Sequence, residues 1–199
     1  MSLDESQRLG AGVRYPYGEI IPAPGEAIEV ADRILWFRLP LPMKLDHVNI
    51  YALDDGDSWT IVDTGFQSDA SHEAWETALQ GPLRGKPVRR VVVTHHHPDH
   101  IGLAGWFKAE YGAEIYATRT AWLQARLMIA EDSDAAFEAQ VQHMARAGAP
   151  EEMIELARKR RGFFSGFVAP LTPGYKRIKE GDRFEMGGRI WRVFVGNGH

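Results

Sequence analysis

Cysteine is absent from the 199 residues. No disulfide can brace the fold, and cysteine usage says nothing about redox compartment. Long apolar runs are also missing: no stretch approaches the roughly 18 consecutive apolar residues of a membrane-spanning helix. The start, Met1-Ser2-Leu3-Asp4-Glu5-Ser6, lacks the basic and apolar regions of a secretory signal, so a cytoplasmic home is expected. There is no excess of positive charge. Lys and Arg number 23 against 27 Asp and Glu, and the net charge of −4 suits a protein that tracks a nucleic-acid backbone poorly. No G-x-S-x-G elbow offers a serine nucleophile. No internal repeat is visible.

What is present describes a folded enzyme-like chain. Hydrophobic residues make up 44% and charged residues 25%, enough for a core and too ordered a balance for a disordered chain. The length points to one domain. Near the middle stands Thr94-His95-His96-His97-Pro98-Asp99-His100, an H-x-H-x-D-H motif. Strand side chains alternate between faces with period two. If Val91 to Thr94 ends a strand, His95 and His97 leave it on one side and His96 on the other. Pro98 then blocks further ladder pairing and turns the chain, and Asp99 and His100 follow close enough to serve a neighbouring ion. Imidazoles and a carboxylate at this density are what zinc and similar divalent ions select.

The flanks place the motif on a strand-to-helix loop. Arg89 to Thr94 is a short β-branched run after Gly85 and Pro87, as expected of a buried strand. Beyond it, Leu103, Phe107 and Tyr111 recur at i, i+4 and i+8, one face of a helix that Gly112 would end and Asp99 is placed to cap. Loops held by a rigid α/β scaffold are where chemistry is usually put.

The rest of the chain alternates in the same manner. The first 26 residues, rich in Gly and Pro, read as an irregular arm. Ile28 to Pro40 and His47 to Leu53 read as strands, and Asp54-Asp55-Gly56-Asp57 as a hairpin turn into a Ser58–Val62 strand. A helix is expected over Ser68–Leu79 with Ala74, Trp75, Ala78 and Leu79 inward. Ala113–Ala117 returns as a strand, and Asp182–Phe184 and Ile190–Val195 flank a Met186-Gly187-Gly188 turn. Residues 118–167 form a helical insertion, marked by Phe137, Val141 and Met144 and by Pro150-Glu151-Glu152, which opens a further helix. Arg158-Lys159-Arg160-Arg161 reads as a solvated helix end. Phe163-Phe164-Ser165-Gly166-Phe167 would line a substrate channel or pin the insertion to the core. His47, His72 and His143 stand alone and read as surface or satisfied histidines.

Strand, H-x-H-x-D-H and Ile101-Gly102 opening a helix together resemble the metallo-β-lactamase superfamily. Val48-Asn49-Ile50-Tyr51 resembles its early N-x-Y strand, Ile61-Val62-Asp63-Thr64-Gly65 its D-T-G turn, and Val193 to His199 its later strand and G-x-G-H-type loop. The matches keep the family's order over residues 47–199. The resemblance implies an α/β fold, the αββα sandwich, here as its N-terminal half plus the helical insertion. Residues 1–199 would be one such domain, continued by a further C-terminal segment, since the family's bridging Asp and last His have no counterpart here. It also implies that His95, His97 and His199 hold one metal and that Asp99 and His100 help hold a second. Asp63 would orient a ligand imidazole and fix its tautomer, the reading the resemblance favours over a turn residue bonding its own backbone. The missing cysteine removes the thiolate ligand of one large class of true β-lactamases.

Two Zn²⁺ ions are the expected cofactor, with Fe or Mn as the other metals such donors accept. A divalent ion brings the pKa of bound water from about 15.7 to about 7, and the hydroxide attacks a carbonyl. The expected function is therefore metal-dependent hydrolysis of an ester, thioester or lactone, as in the glyoxalase II and lactonase branch, with Asp99 orienting the nucleophile's proton. The substrate is expected to be a small molecule, with no membrane or nucleic-acid partner. Competing readings are a phosphodiesterase or nuclease, a β-lactamase, a mononuclear iron dioxygenase, and a non-catalytic metal-binding module. The insertion is expected to cap the metal site and set substrate choice.

Overall fold

The structure, a computed structural model, describes residues 16–131, 133–159 and 162–196. Seven strands form one sheet in sequence order: β1 (Ile28–Ala31), β2 (Ile34–Pro40), β3 (His47–Asp54), β4 (Trp59–Val62), β5 (Val88–Val93), β6 (Glu114–Thr118) and β7 (Lys176–Ile178). The first four are antiparallel and the last three join in parallel. The expected single strand over Ile28–Pro40 is in fact a hairpin. Arg33 takes a left-handed φ of 65° and reverses the chain between β1 and β2. The strand β7 carried no signal, because three residues with two of them charged offer no readable period.

Each parallel step is made by helices: α1 (Asp69–Gln80) between β4 and β5, and α2 (Pro98–Ile101) with α3 (Ala104–Tyr111) between β5 and β6. Ser68 caps α1, its hydroxyl accepting from Ser71 N. Gly112 ends α3 in the left-handed conformation, φ 67°. Four helices, α4 (Arg119–Ala130), α5 (Asp134–Arg146), α6 (Glu151–Lys159) and α7 (Phe163–Gly166), fill the crossover from β6 to β7. A separate hairpin follows, β8 (Arg183–Met186) with β9 (Arg189–Arg192). The strand expected over Ile190–Val195 is thus shifted: β9 ends at Arg192, and beyond it Val193 N donates to Asp182 O while Val193 O accepts from Gly181 N, both at 2.9 Å.

The period of two divides the core. Phe37, Leu39, Ile50, Ala52, Ile61, Val91, Val93 and Ile115 face the helices, where Trp75 and Phe107 meet edge to face at 4.9 Å. Leu53 and Val92, next in chain to residues of that core, face the other way and meet Ile178 and Met186. Trp75 is fully buried, and its indole N–H donates to Thr64 O at 2.8 Å. Leu79 and Phe137 are half-buried, and Tyr111 is largely exposed. On and after β9, Ile190 and Phe194 are 75% and 72% exposed. Phe167 stacks on Phe66 at 4.6 Å, and Phe164 packs against the same core. These two aromatics pin the helical segment to the core.

Candidate metal centre

Two loops at the ends of parallel strands build the site. After β4 the chain turns at Asp63, whose φ of 62° is left-handed, and Asp63 N still bonds Val92 O on β5. The carboxylate, buried at 5% exposure, does not serve its own backbone. It crosses to the histidine loop and accepts from Thr94 N at 2.8 Å, Thr94 Oγ1 at 2.7 Å and His100 Nδ1 at 2.8 Å. One buried anion therefore ties both ends of the motif together.

Thr64 completes the clamp. Its N–H and hydroxyl both donate to His100 O, at 2.8 and 2.9 Å, and its hydroxyl accepts from Leu103 N at 3.0 Å. Sequence reading singled out neither Thr64 nor Thr94 as site residues, although both flank motifs it used. Gly102 O accepts from Ala169 N, and Phe167 O from Gln67 N. The segment after α7 thus straps the loop from the far side.

Within the loop the expected alternation stops early. Strand β5 ends at Val93, and residues 95–97 form bends. His96 consequently does not point away from His95: both line the same cleft. The ring centroids of His95 lie 4.8 Å from His97 and 4.0 Å from His100. Pro98 takes the first position of α2 with His97 before it, so Asp99 is not the cap. It sits in the first turn, and its Oδ2 lies 3.2 Å from His100 Nε2. His199 lies outside the described residues. His47 Nδ1 lies 2.6 Å from Asp46 Oδ1, His72 packs edge-on against Trp106, and His143 is exposed on α5.

The electrostatics of the pair follow from this geometry. Burial opposes a charge on His100, but hydrogen bonds to Asp63 and Asp99 and their negative charge outweigh it and raise its pKa to about 9. Burial likewise opposes the Asp99 charge, yet the His100 hydrogen bond and charge hold its carboxyl below the usual range. His100 is ordinarily at 6.5. Its elevated value contributes stability to the metal-free protein that is full below about pH 6.5 and is lost as pH rises through about 9. The melting temperature of chelator-treated protein should fall across that window, and a His100→Gln variant should show a flatter profile. A wild-type profile that is level or rises there would contradict the assignment.

The donors suit a divalent ion in kind. Among the described residues no three are already drawn together to enclose one. The chemistry nonetheless fits: His100 has its Nδ1 committed to a carboxylate, which leaves Nε2 as the nitrogen beside Asp99 Oδ2. Metal-ligating histidines are held in this manner. Among the described residues no helix is long and apolar enough to cross a membrane.

The chain is similar to several known proteins. A crystal structure of a beta-lactamase domain protein from Burkholderia ambifaria superposes with a TM-score of 0.75 at 37% identity, covering 90% of this chain and 50% of that one. A metallo-beta-lactamase family protein from Thermus thermophilus gives 0.65 at 28% identity, over 82% of this chain and 52% of that one. The Bacillus subtilis (strain 168) protein "Probable metallo-hydrolase YqjP" is 32% identical over 78 residues, 39% of this chain and 24% of that protein. The chain therefore spans about half the length of these solved structures, and its match covers about a quarter of the curated relative. The sequence profile of the metallo-beta-lactamase superfamily matches residues 43–199. That span takes in every strand from β3 onward as well as the histidine loop, and by it this chain belongs to the metallo-beta-lactamase superfamily.

Proposed function

We propose that the chain carries the centre of a metal-dependent hydrolase acting on an ester, thioester or lactone carbonyl. His95, His97, Asp99 and His100 would hold two ions, with His199 as a further donor. The observation that supports this best is the Asp63–His100 bond, a buried carboxylate fixing the imidazole whose other nitrogen meets Asp99. With nitrogen and oxygen donors and no thiolate, zinc is the metal of choice, and iron or manganese share the preference. The metallo-hydrolase name of the Bacillus relative points the same way.

Bound divalent ions supply a water acidified to a pKa of about 7 and a polarised carbonyl. The protein's own contribution is positional. Asp63 accepts the hydrogen bond from His100 Nδ1, so Nε2 is the nitrogen that would give up its proton and face an ion. Asp99, held ionised, offers Oδ2 to orient the proton of an attacking water. Thr64, through His100 O, prevents the loop from backing away from the sheet.

Elemental analysis of protein purified without a histidine tag tests the proposal. About two zinc ions per chain are expected of a dinuclear centre. One ion or none would overturn the dinuclear hydrolase and favour a mononuclear or non-catalytic site.

A further inference from the structure

Thr94 stands between the buried Asp63 carboxylate and the first histidine of the loop. Its backbone N–H donates to Asp63 Oδ1 at 2.8 Å, and its hydroxyl meets Asp63 Oδ2 at 2.7 Å. The same hydroxyl oxygen lies 3.0 Å from His95 Nδ1. One oxygen therefore touches an acceptor on one side and a ring nitrogen on the other, and the protons can be assigned by counting.

A threonine hydroxyl has one proton to give and two lone pairs with which to accept. An ionised carboxylate only accepts, and a hydrogen bond to it is roughly twice as strong as one between neutral groups. The hydroxyl proton accordingly lies on Asp63 Oδ2, and the oxygen turns a lone pair to His95. For that contact to be a bond and not a clash of lone pairs, His95 Nδ1 must carry a proton. Neutral His95 is then the Nδ1–H tautomer, with its lone pair on Nε2. Thr94 cannot rotate away from this duty. Its N–H and hydroxyl are both fixed on one carboxylate, and a β-branched side chain is stiff at χ1.

Asp63 thus reaches two imidazoles. It meets His100 directly, Oδ2 accepting from Nδ1 at 2.8 Å, and it meets His95 through a single intervening oxygen. The two ring centroids are 4.0 Å apart. Resting on the metal-centre reading above, we propose that Thr94 is a positioning residue that relays the Asp63 carboxylate to His95. One anion then holds a ligand of each ion in the tautomer that metal binding requires.

Thr94→Val removes the hydroxyl and keeps the β-branched shape and the N–H to Asp63. In competition with a chelating dye it should weaken the binding of one zinc ion about tenfold or more and leave the other within about threefold. Thr94→Ser restores the hydroxyl and should bind both ions within about twofold of wild type. A second readout needs no metal. Ring ¹⁵N shifts of metal-free protein, recorded above about pH 9 where His100 is neutral, should place the His95 proton on Nδ1 in wild type and Thr94→Ser. In Thr94→Val a share of that proton should move to Nε2. Asp63→Asn supplies the inverse. Its NH₂ donates to the Thr94 hydroxyl, the hydroxyl proton turns to His95 Nδ1, and the ring proton moves to Nε2. A His95 tautomer unmoved by either substitution would overturn the relay. So would equal loss of zinc in Thr94→Ser and Thr94→Val, the mark of packing alone. Should Thr94→Val misfold by circular dichroism, Thr94→Ala and Asp63→Asn carry the same test. Wild-type protein that takes up no zinc yet shows the tautomer shifts would uphold the Asp63–Thr94–His95 relay and sink the metal centre.

Discussion

Replacing Gly102 with alanine should destabilise the protein by about 3 kcal/mol or more, at the upper end of overpacking costs. The residue has an ordinary φ of −51°, so the reason is space and not backbone freedom. A Cβ at this position would stand 2.3 Å from Gly65 O, 2.4 Å from Pro98 O and 2.7 Å from Phe167 O. All three are backbone atoms, and none can swing aside as a side-chain tip would. They belong to the D-T-G turn, the histidine loop and the strap after α7. Relief therefore requires moving one of the three segments that hold the site. Moving the strap breaks Ala169 N to Gly102 O at 2.7 Å, and moving the turn strains both bonds from Thr64 to His100 O. For a chain of this size the loss corresponds to a melting point lower by roughly 6–12 °C. Gly166→Ala is the matched control: its Cβ would meet nothing within 4 Å and its φ is not left-handed. Equal denaturation midpoints for the two variants would show that the junction is looser than described.

Asp63→Asn should lower metal affinity about 10- to 100-fold while leaving the fold intact. The argument is one of proton positions. The wild-type carboxylate accepts three hydrogen bonds, from Thr94 N, Thr94 Oγ1 and His100 Nδ1. An amide of the same size keeps one acceptor oxygen, which can remain on Thr94 N. Its NH₂ then faces His100 Nδ1, which must become an acceptor. That moves the ring proton to Nε2, the nitrogen that would face the ion. The metal must then reverse the tautomer against its nearest neighbour. Competition with a chelating dye would measure the affinity, and ¹⁵N shifts of the His100 ring in metal-free protein, recorded above pH 9 where the ring is neutral, would report the tautomer. Affinity within about twofold of wild type, with the ring proton still on Nδ1, would remove Asp63 from any role in tuning the site. Asp63→Ala is harsher: it leaves half-buried His100 and Thr94 N without their shared acceptor, and should cost more stability than Asp63→Asn.

Much of the scaffold was legible because its signals are local. The period-two runs of β3 and β5, the hairpin at Gly56, Ser68 as a cap and Gly112 as a stop each depend on neighbours within a few residues. The errors share one cause as well. The reversal at Arg33, the early end of β5 and the shortened β9 are all boundaries, where local propensity is weak and pairing with a distant strand decides. The strand β7 exists because β6 offers it an edge, and its own three residues say little.

By itself the sequence determined the types and order of the proposed donors: His95, His97, Asp99 and His100, within six residues that no fold could rearrange. It also determined which loop bears them, because a Val-rich strand before and a helical period after leave no other place. Only the tertiary structure decided what those donors are attached to. That Asp63 grips His100 and Thr94, that Thr64 holds the loop by a backbone carbonyl, and that His96 turns into the cleft with His95 are contacts the local pattern could not set. The physical reason is range. Asp63 and Thr64 meet the loop across 31 to 37 residues, and parallel pairing of β4 with β5 brings them together only once α1 has packed between them in the chain.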